Sequence, residues 1–157
     1  MSETSQPAQN PAATTFTDQF DDYICTLLQP CNEARRDFVE FVDSLPQRDR
    51  HALAVQCFHG QVCNGGFSQW FGNGYFDDDL ATLNRALARM AQTELVKTIS
   101  GLIDQATRII VNDDGYDAKH HDLSDHGYDA LDSLDNAYYA VSDEFLALAA
   151  EYFMTWA

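Results

Sequence analysis

The chain has 157 residues, 45% of them hydrophobic, which suits one domain with a sizeable core. Its 25 Asp and Glu outnumber nine Lys and Arg, for a net charge of −16. That balance argues against nucleic acid or an anionic membrane as the partner and favours a basic protein.

Residues 1–15 are polar and aperiodic and read as a flexible tail before a single acidic domain over 16–157. From Phe16 the apolar spacing becomes helical. Phe20, Ile24, Leu27 and Leu28 share one face of a first helix expected to stop near Pro30. Asn32 is the expected cap of a second helix, with Phe38, Phe41 and Val42 inward, that ends before Pro46. Ser44 precedes a third, with Pro46 in its first turn and His51 to Val62 in its body. Asp77-Asp78-Asp79 open a helix from Leu80 to about Ala91, since acids in a first turn suit the helix dipole. Thr93 caps the next, which buries Leu95, Val96, Ile99, Leu102, Ile103, Ala106 and Ile110. A last pair is expected over about Ala130–Ala140 and Ser142–Thr155. No segment alternates with period two, so the fold class is all-α, a single-domain multi-helix bundle with a glycine-rich corner.

That corner is the run from Val62 to Gly74, VCNGGFSQWFGNG. A phosphate loop needs a preceding strand and a following lysine, and neither is present. A thiol nucleophile at Cys63 would sit at a helix C-terminus, where the dipole opposes the thiolate, and His59 one turn earlier lacks an orienting carboxylate. The residues describe a joint instead. Asn64 or Gly65 is expected to take the left-handed conformation that ends a helix. Phe67, Trp70 and Phe71 then anchor a short apolar face, Gln69 and Asn64 satisfy backbone groups, and Gly72-Asn73-Gly74 end the turn. The four cysteines (Cys25, Cys31, Cys57, Cys63) form no CxxC pair, no leader peptide precedes them, and no apolar run reaches the ~20 residues of a membrane span. A cytoplasmic protein with reduced thiols is expected.

The acids are unevenly spread. Residues 31–108 carry ten acids and eight basic residues, whereas residues 109–157 carry eleven acids and one lysine, Lys119. Within that last third, Gly115-Tyr116-Asp117-Ala118 recurs as Gly127-Tyr128-Asp129-Ala130. An EF-hand frame on Gly127 fails because its last position is Ser133 rather than Glu. His120, His121 and His126 lie in a polar loop without a metal-ligand frame, so no metal is expected. Asp122, Asp125, Asp129 and Asp132 are spaced three, four and three, which on a helix gathers them on one face about 5–6 Å apart at Cβ. Successive phosphates of a B-form strand lie about 6–7 Å apart, so a groove built for phosphates would accept such a row.

Asn64-Gly65-Gly66-Phe67-Ser68-Gln69-Trp70-Phe71 resembles the signature of a bacterial DNA-mimic protein family, helical domains whose best-known member is acidic, dimeric and bound to a transcription factor. The resemblance continues through the helices over Leu80 to Ala91 and Thr93 to Asn112. It resumes at Leu131-Asp132-Ser133-Leu134-Asp135-Asn136-Ala137-Tyr138-Tyr139 and a final amphipathic helix. It implies a homodimer. Joined to the charge distribution, it leads to the expectation of a non-enzymatic DNA mimic that occupies the DNA-binding surface of a regulator, nucleoid protein or nuclease. The expected partner-binding surface is Asp77, Asp78, Asp79, Asp113, Asp114, Asp117, Asp122, Asp125, Asp129, Asp132 and Asp135. The alternative is an immunity-type protein that neutralises a toxin through the same acidic face. An enzyme using Cys57, His59 and Cys63 or the His–Asp loop is the weakest reading, because no nucleophile, base and orienter converge; no cofactor is expected.

Overall fold

The computed structural model describes residues 15–34 and 37–156, so the expected tail lies outside the described residues apart from Thr15. The helical periodicity is realised as α1 (Phe16–Ala34), α2 (Phe38–Asp43), α3 (Gln47–Gly72), α4 (Tyr75–Arg89), α5 (Glu94–Val111), α6 (Asp125–Asp132), α7 (Asp135–Tyr139) and α8 (Ser142–Met154). Among the described residues there is no strand, only an isolated antiparallel bridge between Asp117 and Asp122, and the fold is all-α. No described helix is long and apolar enough to cross a membrane.

Several boundaries differ from expectation. α1 runs through Pro30 to Ala34 and absorbs Asn32, so the cap of α2 is Asp37, whose carboxylate accepts from the Glu40 amide at 3.1 Å. Proline removes only its own N–H from the ladder, and the carbonyl this orphans, at Thr26, lies on an exposed turn that water can satisfy. Pro46 sits at the cap of α3 rather than inside its first turn, and Ser44 closes α2 by donating to the Phe41 carbonyl. Thr93 caps α5 as expected, accepting from the Val96 amide. The expected Ala130–Ala140 helix is two short ones broken at Ser133 and Leu134.

α3 is the axis on which the others pack. It contacts α1, α4, α6, α7 and α8, and twelve of its side chains or glycines are buried. Its helical path is interrupted at Gly65 (φ −149°) and Gly66 (φ 76°, ψ −176°). The positive φ therefore falls on Gly66, not on Asn64 or Gly65. This combination of angles is open essentially to glycine alone. A Cβ at Gly66 would also fall on the carboxylate of Asp135, which closes the kink by accepting from the Phe67 amide at 2.9 Å. The first amide of the resumed helix is thus satisfied from 68 residues away. On the outer side a relay of amides spans the joint: Asn64 donates to Gln69, and Gln69 and Asn73 both donate to Gln61. The kink swings Phe67, Trp70 and Phe71 into one aromatic cluster with Phe58, Phe76 and Tyr138, mostly edge-to-face at 5.3–6.3 Å.

At the other end of the molecule α1 closes on α8, with Phe20 stacked on Phe153 at 5.6 Å and Arg48 of α3 donating to the Phe153 carbonyl. Tyr152 and Trp156 pack half-buried on Phe153.

Gly66→Ala should cost about 2–3 kcal/mol or more in urea unfolding, because it combines a forbidden backbone angle with a displaced Asp135. Gly60→Ala, in the same helix with open space where its Cβ would go, should instead stabilise by up to about 1 kcal/mol.

Candidate functional site

The acidic surface is built outward from the kink. α6 is capped by Ser124, whose hydroxyl accepts from the Gly127 amide at 3.1 Å. Its Gly127 and Leu131 are buried, and Leu134 just beyond it is buried too, which fixes the rotation of the helix about its axis. Asp125, Asp129 and Asp132 then fall within an arc of about 60 degrees on the exposed face. Asp122 does not extend this row as expected. It lies before the cap, in the bridge to Asp117, because Ser124 starts the helix two residues later. Asp132 is held in place by the Ser68 hydroxyl at 2.6 Å, so the row is tied to the resumed half of α3. Asp135, the first residue of α7, points inward at the kink and is half-buried. Desolvation raises its pKa, partly offset by the Phe67 amide.

The loop between α5 and α6 fixes more carboxylates. Asp113 accepts from the Ser124 amide at 2.8 Å, the Ser124 hydroxyl at 2.6 Å and the Gly115 amide at 2.9 Å. These bonds, the Ser124 hydroxyl first, hold its pKa below the usual carboxylate value. A Cβ at Gly127 would collide with this carboxylate, so the first turn of α6 carries a glycine at that position. Asp117 accepts from the Lys119 and His120 amides and from the His120 ring at 2.7 Å. Its pKa is lowered, chiefly by the His120 ring, and that of His120 is raised in return. Asp77 of α4 reaches into the same region, accepting from the Tyr116 hydroxyl at 2.5 Å and the His121 ring at 2.8 Å.

The short sequence repeat has a structural meaning. Tyr116 and Tyr128 pack against Phe71 at 6.0 and 6.3 Å, and each hydroxyl donates to an aspartate, Asp77 and Asp122 respectively. Burial, with the neighbouring carboxylates adding to it, raises both phenol pKa values, that of Tyr116 to about 12, so both stay protonated donors. The donors Ser68, Tyr116, Ser124 and Tyr128 are the functional residues that sequence reasoning missed. The repeat was the available signal for the tyrosines.

Apart from Asp135 at the kink, the other ten expected aspartates occupy three settings. Asp125, Asp129 and Asp132 form the α6 row, with Asp122 and Asp114 exposed nearby in chain order. Asp77, Asp113 and Asp117 are half-buried and locked in the loop. Asp78 and Asp79 turn toward a cleft beside α2. Among the described residues, the single Lys or Arg within 4 Å of a carboxylate is Lys97, paired with Glu94 on the exposed face of α5.

The thiol region has a different character. Burial pushes Cys57 up to about 12 and raises Cys63, which opposes thiolate formation at both. The His59 ring accepts or donates at 2.8 Å with the Tyr138 hydroxyl, an internal tie between α3 and α7, and burial lowers its pKa. His120 and His121 have separate carboxylate partners, and no described group of three His, Cys, Asp or Glu has the geometry to hold a metal.

A family model described as DMP19-like protein matches residues 43–156. The chain belongs to the DMP19-like protein family. The match takes in α3 through α8, hence both the kink and the acidic third, and leaves α1 and nearly all of α2 outside it. No curated protein and no solved structure matches this DMP19-like chain.

Because Asp113 has a depressed pKa in the folded state, its contribution to stability is present above the unfolded value of about 4 and is lost as pH falls through the folded value. Asp113→Ala should therefore lower the urea midpoint at neutral pH, and the gap from the unaltered protein should close on acidification below about pH 4.

Proposed function

We propose that this DMP19-like protein is a non-enzymatic mimic of DNA that binds a basic DNA-binding protein and competes with DNA for its binding surface. Membership of a DNA-mimic family supports the reading. The observation that carries it is the way carboxylates of the last third, and Asp77 of α4 beside them, are held. Hydroxyls, backbone amides and imidazoles position Asp77, Asp113, Asp117, Asp122 and Asp132, while no described Lys or Arg pairs with any of them. A hydroxyl or a backbone amide fixes the place of a charge without cancelling it. The outcome is a polyanion with limited freedom, which loses little side-chain entropy when a partner engages it.

A partner that recognises phosphates through Arg and Lys meets Asp125, Asp129 and Asp132 at helical spacing, about 5–6 Å apart at Cβ, with Asp122 and Asp114 also exposed. Counterions condensed near such a surface are released on binding, so affinity falls with salt, as it does for DNA itself. The partner class is a regulator, a nucleoid protein or a nuclease, and a second copy of the chain would double the acidic surface on offer.

The quadruple variant Asp122→Asn, Asp125→Asn, Asp129→Asn and Asp132→Asn keeps an acceptor oxygen for Leu123, Tyr128 and Ser68 and should retain full helicity by circular dichroism. Its affinity for the basic protein retrieved from native lysate by salt-gradient elution should fall by about 10-fold or more at physiological salt, with a shallower salt dependence. Unchanged binding by a folded variant would overturn the proposal.

A further inference from the structure

A cleft of about 140 Å³ lies between α2 and the junction of α3 with α4. One wall is apolar: Phe38, Val39 and Val42 of α2, with Val39 48% exposed although it is aliphatic. The facing wall carries Tyr75, Asp78 and Asp79 from the start of α4, and Asp43 at the end of α2 lines the cleft as well. Arg50 of α3 is the single cation among the lining residues, so three carboxylates stand against one positive charge. None of the three accepts a hydrogen bond from a described residue, unlike the aspartates of the loop and of α6. The Gly72-Asn73-Gly74 run creates the space: α3 ends at Gly72, Asn73 caps it, and Gly74 at φ 86° turns the chain into α4.

We propose that this cleft receives an arginine side chain of the basic protein partner, its alkyl stem against Phe38 and Val42 and its guanidinium on Asp43, Asp78 and Asp79. The proposal deepens the mimic reading and rests on it for the partner, but not for the chemistry of the cleft. An arginine combines the two properties that the lining demands, a methylene stem that packs on apolar surface and a planar, always charged fork that meets several carboxylates. Charge complementarity excludes an anion or a purely apolar occupant. The three apolar side chains of the cleft, Phe38, Val39 and Val42, lie outside the span that the family model matches, whereas its carboxylates and Arg50 lie inside it.

The cleft also makes a proton-dependent site. Burial, with Asp78 and Asp43 nearby, raises Asp79 to about 6. The other ionisable groups facing it are Arg50, the Cys57 thiol and the Tyr75 phenol, the last two kept protonated by raised pKa values. A bound guanidinium favours ionised Asp79, so the cleft binds more weakly as pH falls below about 6.

The test is a titration of the isotope-labelled full chain with N-acetylarginine methylamide, followed by amide shifts, with the citrulline analogue as the uncharged match in shape. Saturable shifts confined to Val42, Asn73, Gly74 and Thr82, absent with citrulline and weakened as pH falls from 7 to 5, are expected. Asp79→Asn, which removes no hydrogen bond among the described residues, should weaken the arginine compound about 10-fold with helicity intact. Equal shifts from citrulline, or none from arginine, would overturn the proposal. So would tighter binding after Arg35→Ala and Arg36→Ala, since that outcome gives the cleft to the chain's own arginines. The quadruple Asn variant of α6 should bind the arginine compound normally. Its loss of the protein partner while the cleft stays empty would sink the cleft and leave the mimic reading standing, and the reverse pattern would do the opposite.

Discussion

Asp135 accepting from the amide of Phe67 is the contact on which the rest of the molecule turns. A helix that breaks at Gly65 and Gly66 and begins again exposes fresh N–H groups inside the protein, and these need a partner. Asp135 supplies one from α7, and Ser68 in the next position reaches Asp132 at the end of α6. The two parts of the chain that carry the family resemblance are therefore one interlocked unit, although they are 68 residues apart. Through that interlock the kink decides where the aromatic cluster sits, where α6 and α7 dock, and which way the α6 aspartates face.

The same interlock shows how a chain with a net charge of −16 holds the aspartates of its last third without pairing them to a described Lys or Arg. Repulsion among carboxylates favours spreading them apart, and proteins commonly answer it with Lys or Arg pairs. Here the answer is neutral hydrogen-bond donors. Ser68, Ser124, Tyr116 and Tyr128 hold carboxylates in place, and the tyrosines are themselves anchored by packing on Phe71. Asp135 turns inward at the kink, and its raised pKa reflects the loss of solvent. An acidic run in the sequence is thus two things at once, a structural set of acceptors and an outward set of charges.

Much of the fold was legible because it follows from local rules. Apolar spacing at three and four residues marked α1, α4, α5 and α8, and Thr93 announced its helix through a side chain that reaches only three residues on. The aromatic anchors Phe67, Trp70 and Phe71 were legible for the same reason. Local rules failed where a distant partner or solvent decided the outcome. α1 continued through Pro30, with the orphaned carbonyl at exposed Thr26, and Asn32 lost its role as a cap to a helix that continued past it. The positive φ went to Gly66 because that residue, not Gly65, lies under the Asp135 carboxylate. Asp122 left the helical row because Ser124 could cap only from its own position, with its amide and hydroxyl already engaged by Asp113.

Composition and periodicity alone dictate a helical body, an acidic last third and a glycine joint, since these depend on residue type and on spacing within a few turns. Which aspartates face outward, which serve as acceptors and which line the cleft beside α2 depends on contacts between residues 11 to 68 positions apart. A carboxylate has the same formula in each setting. Only the three-dimensional arrangement of donors, apolar walls and solvent around it distinguishes a cap, a latch and a binding group.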